Sequence, residues 1–224
     1  MILERFVLAS ASPRRRRLLS LLKVPFVAVA AYVDEAIVEG ERPQDMVRRL
    51  SLAKAKAVAP AYPEDLIVAA DTIVVLDGDV LGKPANEAEA GAMLQRLRGR
   101  KHTVFSGLTV LYPAPGWTIT ELAESSVWMR FYTDKEIAQY VASGDPLDKA
   151  GAYAIQHPNF SPVEHIGGCY ASVMGLPLCH LARALAQLGL TLPVDVTQTC
   201  QGFTGHHCLV AREILCSTLS RIGS

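Results

Sequence analysis

A chain of 224 residues in which 22 Lys and Arg balance 22 Asp and Glu has no global field to draw in nucleic acid or an anionic membrane, so any anion site must be built locally. Half of its residues are hydrophobic and a fifth are charged, which excludes intrinsic disorder and suffices for a real core in one large α/β domain or two intimate halves. The longest apolar run, Leu66 to Leu76, is split by Asp71 and falls short of the roughly 20 residues of a membrane span.

In chain order, Arg5–Ala9 reads as a short strand. Ser12-Pro13 opens a helix, Ser as N-cap and Pro in the first turn, that runs to about Lys23 before Pro25 stops it. Phe26–Ala31 is a second strand, followed by the acidic loop Asp34-Glu35. Met46, Leu50, Ala53 and Ala57 recur at helical spacing within Pro43–Ala59. Leu66–Leu76 is the central buried strand, and Asp77-Gly78-Asp79 turns the chain. Asn86 caps a helix ending near Gly99; Thr103–Leu111 and Ser125–Phe131 read as strands joined through Pro113, Pro115 and Gly116; Thr133–Ser143 and Leu176–Leu188 read as helices. Early alternation of strands and helices around a long strand pair predicts an α/β protein with a mixed sheet flanked by helices. Residues 191–224 change character and are expected to form an appendage with one helix over Leu209–Ile222. The N-terminus carries Glu4 and no signal-peptide pattern, and the five cysteines form an odd set with no CxxC pair, so the expected compartment is cytoplasmic and the thiols reduced.

Three places invite chemistry. In Ser10-Ala11-Ser12-Pro13-Arg14-Arg15 a strand gives way to a capped helix whose first-turn amides and dipole attract anions. On a helical wheel Arg14 and Arg15 share the side of Leu18 and Leu22, whereas Arg16 and Arg17 point away as a solvated basic turn. Arg14 is the better phosphate ligand of the four. The second place is Asp71-Thr72. A carboxylate inside a strand apolar on both faces needs a cation, a metal or a hydrogen-bonding partner, so Asp71 reads as a metal ligand or a general base. The competing reading ends the strand at Ala70, but Ile73-Val74-Val75-Leu76 continues the β-rich run at once. Third come the cations and the second acid. Lys54 lies beside an apolar helical stripe, Lys83 is fixed between Gly82 and Pro84, and Glu35 offers a partner acid for Asp71. Two carboxylates with several cations suit a metal–triphosphate complex.

Together the Ser-x-Ser-Pro-Arg-Arg start, the Ala-Asp-Thr strand, the Gly82-Lys83-Pro84 turn, Asp148-Lys149-Ala150-Gly151-Ala152-Tyr153-Ala154-Ile155-Gln156 and Gly175-Leu176-Pro177-Leu178 resemble the Maf family of nucleotide pyrophosphatases, over about residues 3–190. Each motif is weak alone; five in the right order are strong. The resemblance implies a domain over 1–190, similar in fold to the inosine-triphosphate pyrophosphatases, with an elongated mixed sheet and a central cleft. It implies hydrolysis of dTTP and UTP, canonical or modified, to monophosphate and pyrophosphate, serving to prevent misincorporation or to arrest cell division. A non-catalytic nucleotide-binding regulator of septation is the alternative. By position, Asp71 matches the proton acceptor. Arg14, Thr72 and Gln156 match base selection in the pyrimidine branch, because the 7-methyl-GTP branch has Trp at the first position and Gln at the second. Ser10, Ser12, Arg14, Lys54 and Lys83 fall to the phosphates, and Glu35 with Asp71 to a divalent cation (Mg2+, Mn2+ or Co2+). The resemblance also implies a homodimer, while the balanced charge and the short apolar runs lead to neither nucleic acid nor membrane as an expected partner.

Two departures stand out. The stretch His157–His165 is expected to reshape the base pocket. Residues 191–224 have no counterpart, and the Cys200-x5-His206-His207-Cys208 cluster fits no standard zinc finger, so a flexible tail or dimer contact is the preferred reading.

Overall fold

The structure, a computed structural model, describes residues 5–217. The strands are β1 (Phe6–Ala9), β2 (Phe26–Val29), β3 (Leu66–Leu76), β4 (Asp79–Leu81), β5 (Lys101–Tyr112), β6 (Trp117–Met129) and β7 (Val163–Gly167). The helices are α1 (Pro13–Ser20), α2 (Pro43–Val58), α3 (Glu87–Leu97), α4 (Asp134–Ala142), α5 (Tyr170–Val173), α6 (Leu178–Gln187), α7 (Val196–Thr204) and α8 (Ala211–Cys216). Among the described residues the strands form one mixed sheet in the order β2-β1-β3-β5-β6-β7, with β4 beside β3. β2, β1 and β3 run parallel, and the rest of the sheet is antiparallel. The expected mixed sheet flanked by helices is what forms.

β3 organises the molecule. On one edge it pairs with β5 from Ile67 to Val75 without a break. On the other, β1 pairs only as far as Val68, and pairing resumes with β4 at Val74. Residues 69–73 therefore form a gap in the sheet, just past the carboxyl end of β1, where the chain leaves for α1. Crevices at the carboxyl ends of parallel strands, where neighbouring connections diverge, are the natural ligand sites of α/β sheets.

Because side chains alternate along a strand, β3 feeds two cores. Ile67, Ala69 and Ile73 meet α2 through Ala55, Val58, Met46, Val47 and Leu50. Leu66, Val68 and Ala70 meet Leu18 and Leu19 of α1 and Leu181 and Leu185 of α6. Asp71 shares the α2 face and Thr72 the opposite one. The α2 stripe of Met46, Val47, Leu50, Ser51, Lys54, Ala55 and Val58 lies flat on the sheet, which carries Lys54 inward with the apolar residues. Gly107 of β5, directly opposite Asp71, permits that approach: a Cβ there would lie 2.1 Å from the Val47 carbonyl oxygen.

Several elements differ from expectation. β6 begins at Trp117 rather than Ser125, because its Thr- and Glu-rich first half is held by pairing with β5 along its whole length. β4 and β7 are additional strands, Asp79 opening β4 rather than closing the turn. α1 ends at Ser20, and Lys23 adopts φ 56°, a left-handed turn into Pro25. The segment 191–217 holds two helices where one was expected. Asp195 caps α7 by accepting from the Gln198 amide at 2.9 Å, and Val196 and Cys200 form a buried face one turn apart. Composition hid this helix because its outward residues are Thr, Gln and Gly. These residues pack instead of dangling: Val196, Cys200 and Ala211 join the α6 core, and the Arg17 guanidinium sits 4.9 Å over the Phe203 ring. Buried Glu121 takes both arms of Arg183 at 2.6 and 3.0 Å, and Arg183 also reaches the Ile214 carbonyl and Ser217 beyond α8. The remainder of the helix expected over 209–222 lies outside the described residues.

Gly107→Ala is expected to lower the unfolding free energy by about 2 kcal/mol or more, since backbone must yield to the new methyl. Gly91→Ala, in open space on α3, is expected to raise it by about 0.5–1 kcal/mol. Urea unfolding checks both; a neutral Gly107→Ala would contradict the close approach of α2.

Candidate active site

The gap in β3 opens into a cleft of about 630 Å3. Ser10, Ser12, Arg14, Glu35, Lys54, Asp71, Thr72 and Lys83 all line it, so eight of the nine residues expected from sequence converge. On the α2 face, the Lys54 ammonium lies 2.6 Å from Asp71 Oδ1 and 2.6 Å from Glu35 Oε1. Lys54 and Asp71 are buried, whereas the Glu35 side chain is 51% exposed on the loop after β2. Partial burial works against ionisation of Glu35, but its hydrogen bond to Lys54 and the charges of Lys54, Lys83 and Arg15 outweigh that and hold its carboxyl below the ordinary range. Asp71 Oδ2 has no hydrogen-bond partner among the described residues, which leaves it free for a water.

Arg15, singled out with Arg14 on the helical wheel but not favoured there, is the hub of the opposite face. Its Nε donates to the Gly175 carbonyl at 2.9 Å, Nη1 to Ser10 Oγ at 3.4 Å and Nη2 to Thr72 Oγ1 at 3.4 Å. Gly175 holds φ +112°, and a Cβ there would stand 3.2 Å from Arg15 Nε. Burial pushes the guanidinium below its ordinary pKa, partly offset by Asp71, and no carboxylate pairs with it among the described residues. A desolvated guanidinium without a counter-ion is a strong anion acceptor. Ser106 Oγ donates to the Ser172 carbonyl at 2.8 Å, so the Thr72 hydroxyl proton goes to Ser106 at 2.8 Å and Thr72 presents lone pairs. Ser12 caps α1 by accepting from the Arg15 amide, and Ser10 accepts from the Ser12 amide at 3.2 Å. Arg14 is half-buried at the cleft mouth, 3.5 Å from Asp148.

Lys149 also lines the cleft and was not anticipated; it is buried between Asp145 at 2.9 Å and Asp148 at 2.6 Å. Its signal was the acidic spacing 145 and 148 ahead of a lysine. Gln156 is exposed and outside the cleft lining, its side chain reaching the Tyr170 hydroxyl. Nor does 157–165 enter the cleft. Phe160 stacks on Tyr140 in a separate core, His157 Nδ1 accepts from the Phe160 amide at 3.0 Å, and the chain continues into β7. The expected reshaping of the base pocket by this stretch is therefore corrected: its apolar anchor draws it away.

Among the described residues no group of three or more His, Cys, Asp or Glu is arranged to hold a metal alone. Cys169, Cys179, Cys200 and Cys208 do meet beside His206 around a small cavity behind α5. Burial pushes Cys169 and Cys179 up to about 12 and Cys200 to about 11, so these are protonated packing thiols. Glu35 and Asp71 present hard oxygens to one point, a donor set that fits a small divalent cation whose other ligands are phosphate oxygens and water.

Fold and site define an α/β protein with a cleft at the carboxyl end of its parallel strands, lined by several cations and by the buried carboxylate of Asp71. Residues 5–188 match the family model described as Maf-like protein. Relatives named dTTP/UTP pyrophosphatase include one from Syntrophus aciditrophicus (strain SB), 42% identical over 84% of this chain and 92% of the relative. One from Bacillus mycoides (strain KBAB4) is 45% identical over 83% of this chain and 96% of the relative. The chain belongs to the Maf family. Among solved structures, the Staphylococcus aureus Ham1 protein aligns at a TM-score of 0.42 with 15% identity, over 56% of this chain and 71% of that one.

Beneath the cleft, the Tyr153 hydroxyl meets buried His102 Nε2 at 2.7 Å. Burial lowers both His102 and His180 to about 4, the latter with help from Arg183. A histidine depressed below its unfolded value near 6.5 is fully stabilising above that pH and loses stability as pH falls toward 4, at about 1.4 kcal/mol per unit per group. The window from pH 6.5 to 5 lies above the titration of the depressed carboxylates, while Glu121, raised by burial against the pull of Arg183, acts with the opposite sign to the histidines. Unfolding free energy is expected to drop by about 4 kcal/mol from pH 7 to 5, and by about half that in His102→Gln. A flat wild-type profile would contradict it.

Proposed function

We propose that this chain is a nucleoside-triphosphate pyrophosphatase that converts dTTP and UTP to the monophosphate and pyrophosphate. The observation that carries the reading is Asp71, the one buried carboxylate lining the cleft among the described residues, set in the gap of β3 where Arg14, Arg15, Lys54, Lys83 and Lys149 also line it and the other acids, Glu35 and Asp148, are exposed. A protein that only bound a triphosphate would need those cations; a carboxylate opposing them weakens binding and is useful for activating water.

In the proposed reaction the triphosphate lies along the cationic wall, with Arg15, Lys54, Lys83 and the first-turn amides of α1 on its phosphates. Asp71 Oδ2 holds a water in line with the α-phosphorus and takes its proton as the new P–O bond forms. The bond from the α-phosphorus to the bridging oxygen breaks, and pyrophosphate leaves with its charge matched by the lysines and arginines. A divalent cation (Mg2+, Mn2+ or Co2+) held by Glu35, Asp71 and phosphate oxygens would neutralise further charge when bound. Pyrimidine choice falls to Arg14, Thr72 and Gln156. Thr72, its proton committed inward, suits the N3–H of uracil or thymine, and Arg14 suits a flanking carbonyl. Gln156 contributes only by exchanging its Tyr170 contact for the base. A homodimer in the cytoplasm completes the proposal.

A nucleotide panel with pyrophosphate detection tests the reading. dTTP and UTP are expected to exceed the purine triphosphates in kcat/KM by about a hundredfold or more, because a pocket that hydrogen-bonds the base edge discriminates more sharply than an apolar one. In 18O water the label is expected in the monophosphate. Equal activity on purines would refute the base assignment, and label in pyrophosphate would refute attack at the α-phosphorus.

A further inference from the structure

The Lys54 ammonium stands where the two carboxylates converge, 2.6 Å from each. A small divalent cation bound to the same pair needs oxygens at about 2.0–2.6 Å, and hence the same space. Two cations cannot share it. Lys54 is fixed on the buried face of α2 and Asp71 on the central strand, whereas Glu35 sits on a half-exposed loop. Across the cleft, Arg15 has no carboxylate partner among the described residues and Lys83 is exposed, so a triphosphate is drawn toward this corner.

We infer that Lys54 is an internal counter-ion competing with the divalent cation for Glu35 and Asp71, and that the triphosphate resolves the competition by taking Lys54 onto its own oxygens. The inference rests on the proposed triphosphate substrate. In the nucleotide-free protein Lys54 neutralises one of the two carboxylate charges and repels a second cation. When the triphosphate binds, its oxygens offer Lys54 a stronger anionic partner and add metal ligands beyond the two carboxylates, which have no third His, Cys, Asp or Glu beside them among the described residues. Metal and nucleotide therefore enter as linked ligands, each raising the affinity for the other by the same factor. Lys54 is then more than a phosphate contact: it keeps the corner metal-poor until substrate is present, and its release frees Asp71 Oδ1 for the divalent cation while Oδ2 keeps the water.

The test is Mn2+ binding without nucleotide, followed by electron paramagnetic resonance of free Mn2+, in wild type, Lys54→Met and Lys54→Gln. Thermal melts establish that the variants are folded; Gln retains donors for Asp71 where Met leaves it unpaired. Both folded variants are expected to bind Mn2+ about tenfold or more tightly than wild type, because a positive charge within a few ångströms has been removed. If only Lys54→Gln folds, its affinity decides alone. Unchanged or weaker Mn2+ binding overturns the competition. Wild-type pyrophosphate release is measured separately: activity with no gain in Mn2+ affinity removes this inference and leaves the function standing, whereas the gain without activity does the reverse.

Discussion

A charged carboxylate inside an apolar strand is tolerable only if something answers its charge, and the arrangement around Asp71 is a set of solutions to that demand. Lys54 answers it directly at 2.6 Å. For Lys54 to arrive there, α2 must lie flat on the sheet, which requires Gly107 opposite Asp71 and the apolar stripe from Met46 to Val58. For Asp71 to do more than form an ion pair, its strand must be open on one edge. β1 supplies that by ending after four residues, and β4 by joining only at Val74. The gap, the close helix and the ion pair are one construction.

The alternation of β3 then divides the cleft by face. The α2 side gathers Asp71, Lys54 and Glu35, groups suited to water, metal and phosphate. The α1 side gathers Thr72, Ser10 and Arg15 around the Gly175 carbonyl. A one-residue slip of β3 would exchange these faces, and the ladder of nine pairs from Ile67 to Val75 with β5 prevents it. The cations are not interchangeable: Lys54 is paired with two acids, Arg14 with Asp148, and Arg15 with none among the described residues, which leaves Arg15 the strongest claim on an incoming anion.

What could be read from sequence was what is local. The bounds of β3 were legible because the β-rich run resumes at Ile73 directly after Asp71-Thr72, which disfavours a turn there, and Asp71 stood out against its apolar neighbours. The helical wheel turned Arg14 and Arg15 inward and Arg16 and Arg17 outward, as the structure has them. What could not be read depends on distant partners. The gap exists because β1 and β4 pair with β3 at separate places; Arg15 is held by a carbonyl 160 residues away. The first half of β6 looks polar alone and becomes a strand only against β5. Gln156 sits in the expected motif, yet its side chain goes to Tyr170. Helix α7 was hidden because its apolar residues are few, and they count only against the core of α6.

The central claim is that Asp71 acts on water while Lys54 and the arginines hold the nucleotide, and Asp71→Asn separates those roles most directly. Turnover of dTTP at saturation is expected to fall by about a thousandfold, the usual weight of a general base, with metal-free affinity for an α,β-methylene analogue equal to or tighter than wild type, since a carboxylate opposing the phosphates is gone. Turnover within about tenfold of wild type in that folded variant would contradict the account.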